Sequence, residues 1–303
     1  MTDQNTSLPG IPSPPAQEPF LRRLSPVAFA VFSLVTIFML YQFVAGGLVM
    51  VIARGRFTAE NIALVRWATL VSQILFILIP TILLVRARFG NVGHFVRLRL
   101  PGTRQLILSV VAVFALQQMA QGYMMAQDAI PLPEFVRKVV ELFKEMFEQA
   151  YRMLVGAETP LEFLFVVLVV AVVPAVAEEF LFRGLVQRSI ELKAGGLKAA
   201  IIAGFIFGAY HLNPFGIIPL VALGVFFGWL VYRSDNLTLA IAAHFFNNFI
   251  ACTAIYLQMG EDFIVLAPGG GATPSVLLAN FVLFALVFLG AIMYFAYLTR
   301  PKE

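Results

Sequence analysis

Long apolar runs divide this chain and constrain it more than any other feature. A helix of about 20 apolar residues crosses the hydrocarbon core of a bilayer. Such runs extend from Val27 to Ala53, Ala63 to Val85, Leu106 to Ala126, Leu161 through Glu178, Ala199 to Tyr210, Ile217 to Tyr232, Leu237 to Leu257 and Val276 to Leu298. The fifth and sixth are short and are parted by Asn213-Pro214. Composition agrees: 60% of residues are hydrophobic and 13% charged, where a soluble domain is nearer half and a quarter. The expected fold is an all-α integral membrane protein, a bundle of about eight transmembrane helices with an intramembrane polar cavity.

Five regions follow. Residues 1–25 hold Pro9, Pro12, Pro14, Pro15 and Pro19 and read as a disordered Pro-rich tail with little to bury. No basic stretch precedes a short apolar core, so a cleaved signal peptide is not expected. Residues 26–132 form a three-span region, 133–157 an amphipathic helix, 158–257 a core of about four spans, and 258–303 a loop and a last span. The stretch from Arg86 to Arg104 carries Arg88, Arg97 and Arg99 and no acid, which places it in the cytoplasm. Alternation then puts both termini inside, with Arg300 and Lys302, and the loop holding Glu261 and Asp262 outside. Arg54 and Arg56 fall on the outer side against this trend. The short tail and these loops fit a bacterial cytoplasmic membrane.

From Pro133 to Val155 the pattern changes. Val136, Val140, Phe143, Phe147, Tyr151 and Leu154 recur every three or four residues, with Arg137, Lys138, Glu141, Lys144, Glu145, Glu148 and Arg152 between them. This is an amphipathic helix, which either lies on the outer membrane surface or caps the bundle. Gly204 and Gly208, and Gly224 and Gly228, have the spacing that lets membrane helices approach closely.

An ionisable side chain at bilayer depth costs roughly 2.5–3.5 kcal/mol on insertion scales, so each needs a partner or a task. The first three spans carry Arg66 near an end and the neutral Gln42, Gln73, Gln117 and Gln118. The second half is denser: Glu178, Glu179 and Arg183, then His211, then His244, Asn247 and Asn248. Glu179 and Arg183 share a helix face and form a structural pair. Glu178 points about 100° away from Glu179. Pro174 disrupts the helix at Val170, beside this cluster. His244 and Asn248 share a face, as do Phe207 and His211. Asn247 reads as interhelical glue, His94 as a solvated loop residue, and Cys252 as a core thiol.

The residues from Glu178 to Arg183 match E-E-x-x-x-R, Phe207 to His211 match F-x-x-x-H, and His244 to Asn248 match H-x-x-x-N. In this order, on successive membrane segments, they resemble the CPBP or "Abi" family of intramembrane glutamic endopeptidases, which includes the type II CAAX prenyl endopeptidases and bacteriocin-processing or immunity proteins. The resemblance covers roughly residues 160–257. It implies that Glu178 is the general base, that His211 positions water, that His244 and Asn248 stabilise the oxyanion, and that Glu179 and Arg183 orient Glu178 or hold the helix.

Amide hydrolysis needs an activated water, donors for a developing oxyanion and a proton for the leaving amine, and these residue types supply them. No H-E-x-x-H and no G-x-S-x-G occurs. No cofactor is expected. A zinc site on Glu178, His211 and His244 is the alternative. The other competitors are a transporter and a non-catalytic immunity or binding protein. The expected partners are a lipidated or membrane-bound peptide or protein and the bilayer. No nucleic acid is expected, because no basic surface interleaved with aromatics is present.

Overall fold

A computed structural model describes residues 19–259, 264–266 and 273–299. Residues 1–18, the acidic Glu261–Asp262 loop, Arg300 and Lys302 lie outside the described residues. The protein is an all-α integral membrane protein. Seven of its described helices are long and apolar enough to cross a bilayer. They are α1 (Pro26–Ile52), α2 (Ile62–Phe89), α3 (Thr103–Asp128), α5 (Pro160–Ala194), α7 (Ile217–Ser234), α8 (Leu237–Tyr256) and α9 (Pro274–Leu298). Among the described residues two further long helices occur, the amphipathic α4 (Glu134–Val155) and the 15-residue α6 (Gly196–Tyr210), beside the short helical turn Val92–Val96. At ~1.5 Å per residue α6 spans only about 22 Å, short of the ~30 Å hydrocarbon core. It is the fifth of the eight expected spans, and it is the one that falls below spanning length.

Local signals set the ends. Ser25 caps α1 and Pro26 occupies its first turn. Thr159 accepts from the Glu162 N–H at 3.2 Å to cap α5, and Asn236 and Thr273 cap α8 and α9 in the same way. The tail is ordered closer to the start than expected: Phe20–Arg23 forms a helical turn. Arg88 holds it by donating to the carbonyls of Leu21 and Leu24.

α5 departs most from the sequence reading. Its apolar run was read from Leu161 through Glu178, with Glu179 and Arg183 on the same span, and the helix runs 35 residues to Ala194. The polar residues beyond Glu178 do not end it, because each finds a buried partner. Arg183 donates to the carbonyl of Gly224 at 2.8 Å and Gln187 to that of Gly228 at 2.9 Å. The glycine stripe of α7 lays its backbone bare, and two side chains of α5, four residues apart, read it.

α6 and α7 pack as an antiparallel pair through the same small residues. A Cβ built on Gly204 would stand 2.5 Å from the Val225 backbone nitrogen, and one on Gly224 would stand 2.6 Å from the Gly204 carbonyl. Backbone cannot yield as a side-chain tip can. Gly204→Ala is therefore expected to force α6 and α7 apart and cost about 1–3 kcal/mol, read as a lower midpoint in thermal unfolding of the purified protein.

α4 stands with most of its length exposed. Its C-terminal end is fixed by Arg66 of α2, which is 3% exposed. That guanidinium donates to the carbonyls of Met153 and Leu154, both at 2.9 Å, and to that of Gly156, and it pairs with Glu162 at 2.6 Å. A cation on the last carbonyls of a helix satisfies both their hydrogen bonding and the helix dipole. Val155 is buried against Val166, Val167, Ala171 and Cys252, which makes Cys252 a core thiol.

Candidate active site

The two breaks in the regularity of α5 shape the site. The helix widens over Leu168–Val172 and again over Phe180–Gln187, and such wide turns recur at functional positions. Between them, Pro174 has no N–H to give the carbonyl of Val170 four residues back. Asn248 of α8 donates to that carbonyl instead, at 2.9 Å. Asn247 donates to Asn248 Oδ1 at 3.0 Å. The predicted disruption at Val170 is thus the point where α5 and α8 are joined. Asn247, expected to act as glue between helices, orients Asn248.

Glu178 and His211 meet because the hairpin of α5 and α6 is level. Glu178 lies sixteen residues before Ala194, and His211 fifteen after Gly196. Both are therefore about 22–24 Å above the turn. α6 is regular, begins three residues earlier than expected, and the irregular helix is α5. Glu178 Oε2 and His211 Nε2 stand 3.7 Å apart, with the side chains 17% and 29% exposed to the cavity. Glu178 Oε2 has no hydrogen-bond partner. His211 Nδ1 donates to the carbonyl of Phe207 at 2.8 Å, which accounts for the F-x-x-x-H spacing.

Behind this pair lies a sealed layer. Glu179 and Arg183 side chains are wholly buried and pair at 2.7 Å. Glu179 Oε1 also accepts from His244 Nδ1 at 2.9 Å. The carboxylate thus orients His244. The His244 ring stacks on Phe227 at 5.2 Å, and Phe207 meets it edge-on at 5.8 Å. The Arg183 guanidinium lies 4.5 Å from the Phe207 ring centre, a cation–π contact that replaces part of its lost hydration.

Glu178, His211, His244, Asn247 and Asn248 line one cavity of about 290 Å³. Four of its other walls were not read from the sequence as parts of the site: Thr69 and Gln73 on α2, and Tyr151 and Leu154 on α4. Gln73 had a signal, an amide in mid-span among apolar neighbours. Tyr151 had none beyond its place on an amphipathic face. Among the described residues no three His, Cys, Asp or Glu side chains are gathered closely enough to hold a metal ion, and the zinc set of Glu178, His211 and His244 is not assembled as one.

The comparison with known families turns on this segment. Residues 160–250 match the type II CAAX prenyl endopeptidase Rce1-like family. The Rce1-like stretch begins with α5, ends inside α8 and contains all six predicted site residues. The family is one of CAAX-type intramembrane proteases. α1 to α4 and α9 lie outside the Rce1-like match, although α2 and α4 help to wall the cavity. No curated protein and no solved structure matches the chain.

Proposed function

We propose that this chain is an intramembrane endopeptidase that hydrolyses peptide bonds of a membrane-borne peptide or protein, with Glu178 activating water. The observation that carries the reading is the facing pair Glu178 and His211. A carbonyl only accepts, so the bond to Phe207 fixes the proton of neutral His211 on Nδ1 and leaves Nε2 an acceptor. A carboxylate oxygen facing that nitrogen at 3.7 Å makes two acceptors with no donor between them. A water molecule supplies two O–H donors. Held by both, it turns a lone pair toward the cavity.

In the reaction, the water oxygen adds to the scissile carbonyl and its proton passes to Glu178. Glu178 then returns the proton to the leaving amine as the C–N bond breaks. The Asn248 amide has a second N–H beyond the one given to Val170, and it donates to the oxyanion. His244 Nδ1–H is committed to Glu179. His244 therefore donates to the oxyanion only from a doubly protonated ring, a form in which Arg183 and His244 balance Glu178 and Glu179. Asn248→Ala is expected to reduce turnover by about 10²–10³-fold, as removal of one oxyanion donor does. It is measured as cleavage of a fluorogenic peptide in detergent.

The reaction uses only groups of this chain. Metal analysis of active purified protein tests that point: activity that tracks stoichiometric zinc and disappears on chelation would overturn it in favour of Glu178, His211 and His244 as ligands. We place both termini and the Arg86–Arg104 stretch in the cytoplasm of a bacterial cell, from the arginines of that stretch.

The test of function compares protein termini in membrane fractions from cells holding equal amounts of wild type or Glu178→Ala. New termini confined to wild type are expected, and they name the substrate. Identical termini would favour a non-catalytic immunity or binding role.

A further inference from the structure

A second cavity adjoins the first. It holds about 230 Å³ between α1 and α2, and Thr69 lines both. Ala45, Val49, Met50 and Phe57 give it an apolar surface, Gly46 leaves room at one side, and the side chains of Tyr41, Gln42, Thr69 and Ser72 complete the wall. α1 is wide over Met39–Ala45, the stretch that supplies Tyr41, Gln42 and Ala45 to the wall. Gln42 pins that stretch beside the catalytic groups by donating to the carbonyl of Tyr210, next to His211, at 3.0 Å. Gln73, four residues after Thr69 on α2, is 6% exposed and lines the catalytic cavity. Its Nε2 reaches the Val169 carbonyl at 3.4 Å and its amide adjoins the Tyr41 hydroxyl, while its Oε1 is buried with no hydrogen bond of ordinary geometry. A buried acceptor without a donor is costly unless a ligand supplies the donor.

A peptide brings both missing complements, a backbone N–H and a side chain two bonds away from it. We propose that the α1–α2 cavity is a specificity subsite that takes one large apolar side chain flanking the scissile bond, and that Gln73 Oε1 accepts a backbone N–H of the same substrate segment. The volume suits a single side chain, since whole small-molecule ligands fill about 300–1,000 Å³. The inference rests on the endopeptidase reading and adds to it a specificity determinant in helices outside the Rce1-like match.

The test uses full-length protein in detergent with a peptide library randomised on both sides of the cleaved bond, read by mass spectrometry. Wild type is expected to select large apolar residues at one flanking position. Gly46→Leu and Val49→Phe fill the subsite and are expected to shift that position toward Ala and Ser by about tenfold or more, with other positions unmoved. A Cβ at Gly46 meets nothing nearer than the Tyr41 carbonyl at 3.7 Å and the cavity lies beside it, so the first variant is expected to fold. Phe57→Ala enlarges the same space and is expected to admit Trp. Gln73→Met, close in size and without the acceptor, is expected to raise KM by about tenfold with kcat little changed. Cleavage with an unmoved preference in folded filling variants would overturn the subsite alone. No cleavage by wild type beyond that of Glu178→Gln would overturn the endopeptidase reading and the subsite together.

Discussion

Glu178→Gln is expected to remove roughly 10³–10⁴-fold of peptide-bond cleavage, the upper range of a general base, and to leave the protein more stable than wild type. Both halves follow from one geometry. The carboxylate facing His211 is only 17% exposed, and burying an ionised group costs stability that burying a neutral amide of the same shape does not. A Gln amide at that position donates N–H to His211 Nε2 across a gap of 3.7 Å that small side-chain adjustments close. It cannot take a proton from water. Opposite signs for activity and stability distinguish a group held for chemistry from one held for structure. The check is a pair of measurements on one preparation: turnover of a cleaved peptide, and the midpoint of thermal unfolding in detergent. A variant less stable than wild type would assign Glu178 a structural role.

Arg183→Met is expected to give the opposite result, loss of folded protein. Arg183 is 1% exposed and Glu179 fully buried. Removing the guanidinium leaves Glu179 with His244 alone, the Gly224 carbonyl without its donor, and the rings of Phe207 and Phe227 beside a smaller apolar chain. Breaking one side of a buried pair costs about 3–5 kcal/mol, because an uncompensated charge remains. The expected outcome is a steep fall in monodisperse protein after extraction, seen in size-exclusion chromatography. Glu179→Gln together with Arg183→Met should recover part of that yield, since it removes the stranded charge. Failure of the double variant to recover any would show that Arg183 acts through Gly224 and the aromatic rings instead of through Glu179.

The same contrast explains what the sequence made legible. Glu178, His211, His244 and Asn248 stand out because lipid penalises them, so their presence at depth is information. Arg183 and Gln187 are equally costly there, yet the apolar run was followed only through Glu178, and Gln187 was not read at all. Their true compensation, the bare carbonyls of Gly224 and Gly228, lies some forty residues away on another helix. Glycine spacing announces close packing and says nothing of which polar side chain will use the exposed backbone. The cavity walls from α2 and α4 were hidden for a related reason. Tyr151 and Leu154 reach the site only because Arg66 ties the end of α4 to α2, a contact across more than eighty positions. Six of the seven long helices and the amphipathic one were plain from hydropathy and period, and α7 was marked only by a short run. The short α6 was harder, because a helix below spanning length is read from sequence only through its neighbours.

Pro174 carries a consequence of its own. An alanine in its place would let α5 continue without a gap, and by helix propensity alone the straighter rod is favoured by roughly 3 kcal/mol. The Val170 carbonyl would then turn inward to its own helix and leave Asn248 with nothing to brace against. The blemish in α5 is a docking point: it makes the aim of an amide on α8 depend on the curvature of α5. Selection for sturdier helices and selection for a correctly aimed donor pull against each other at this proline.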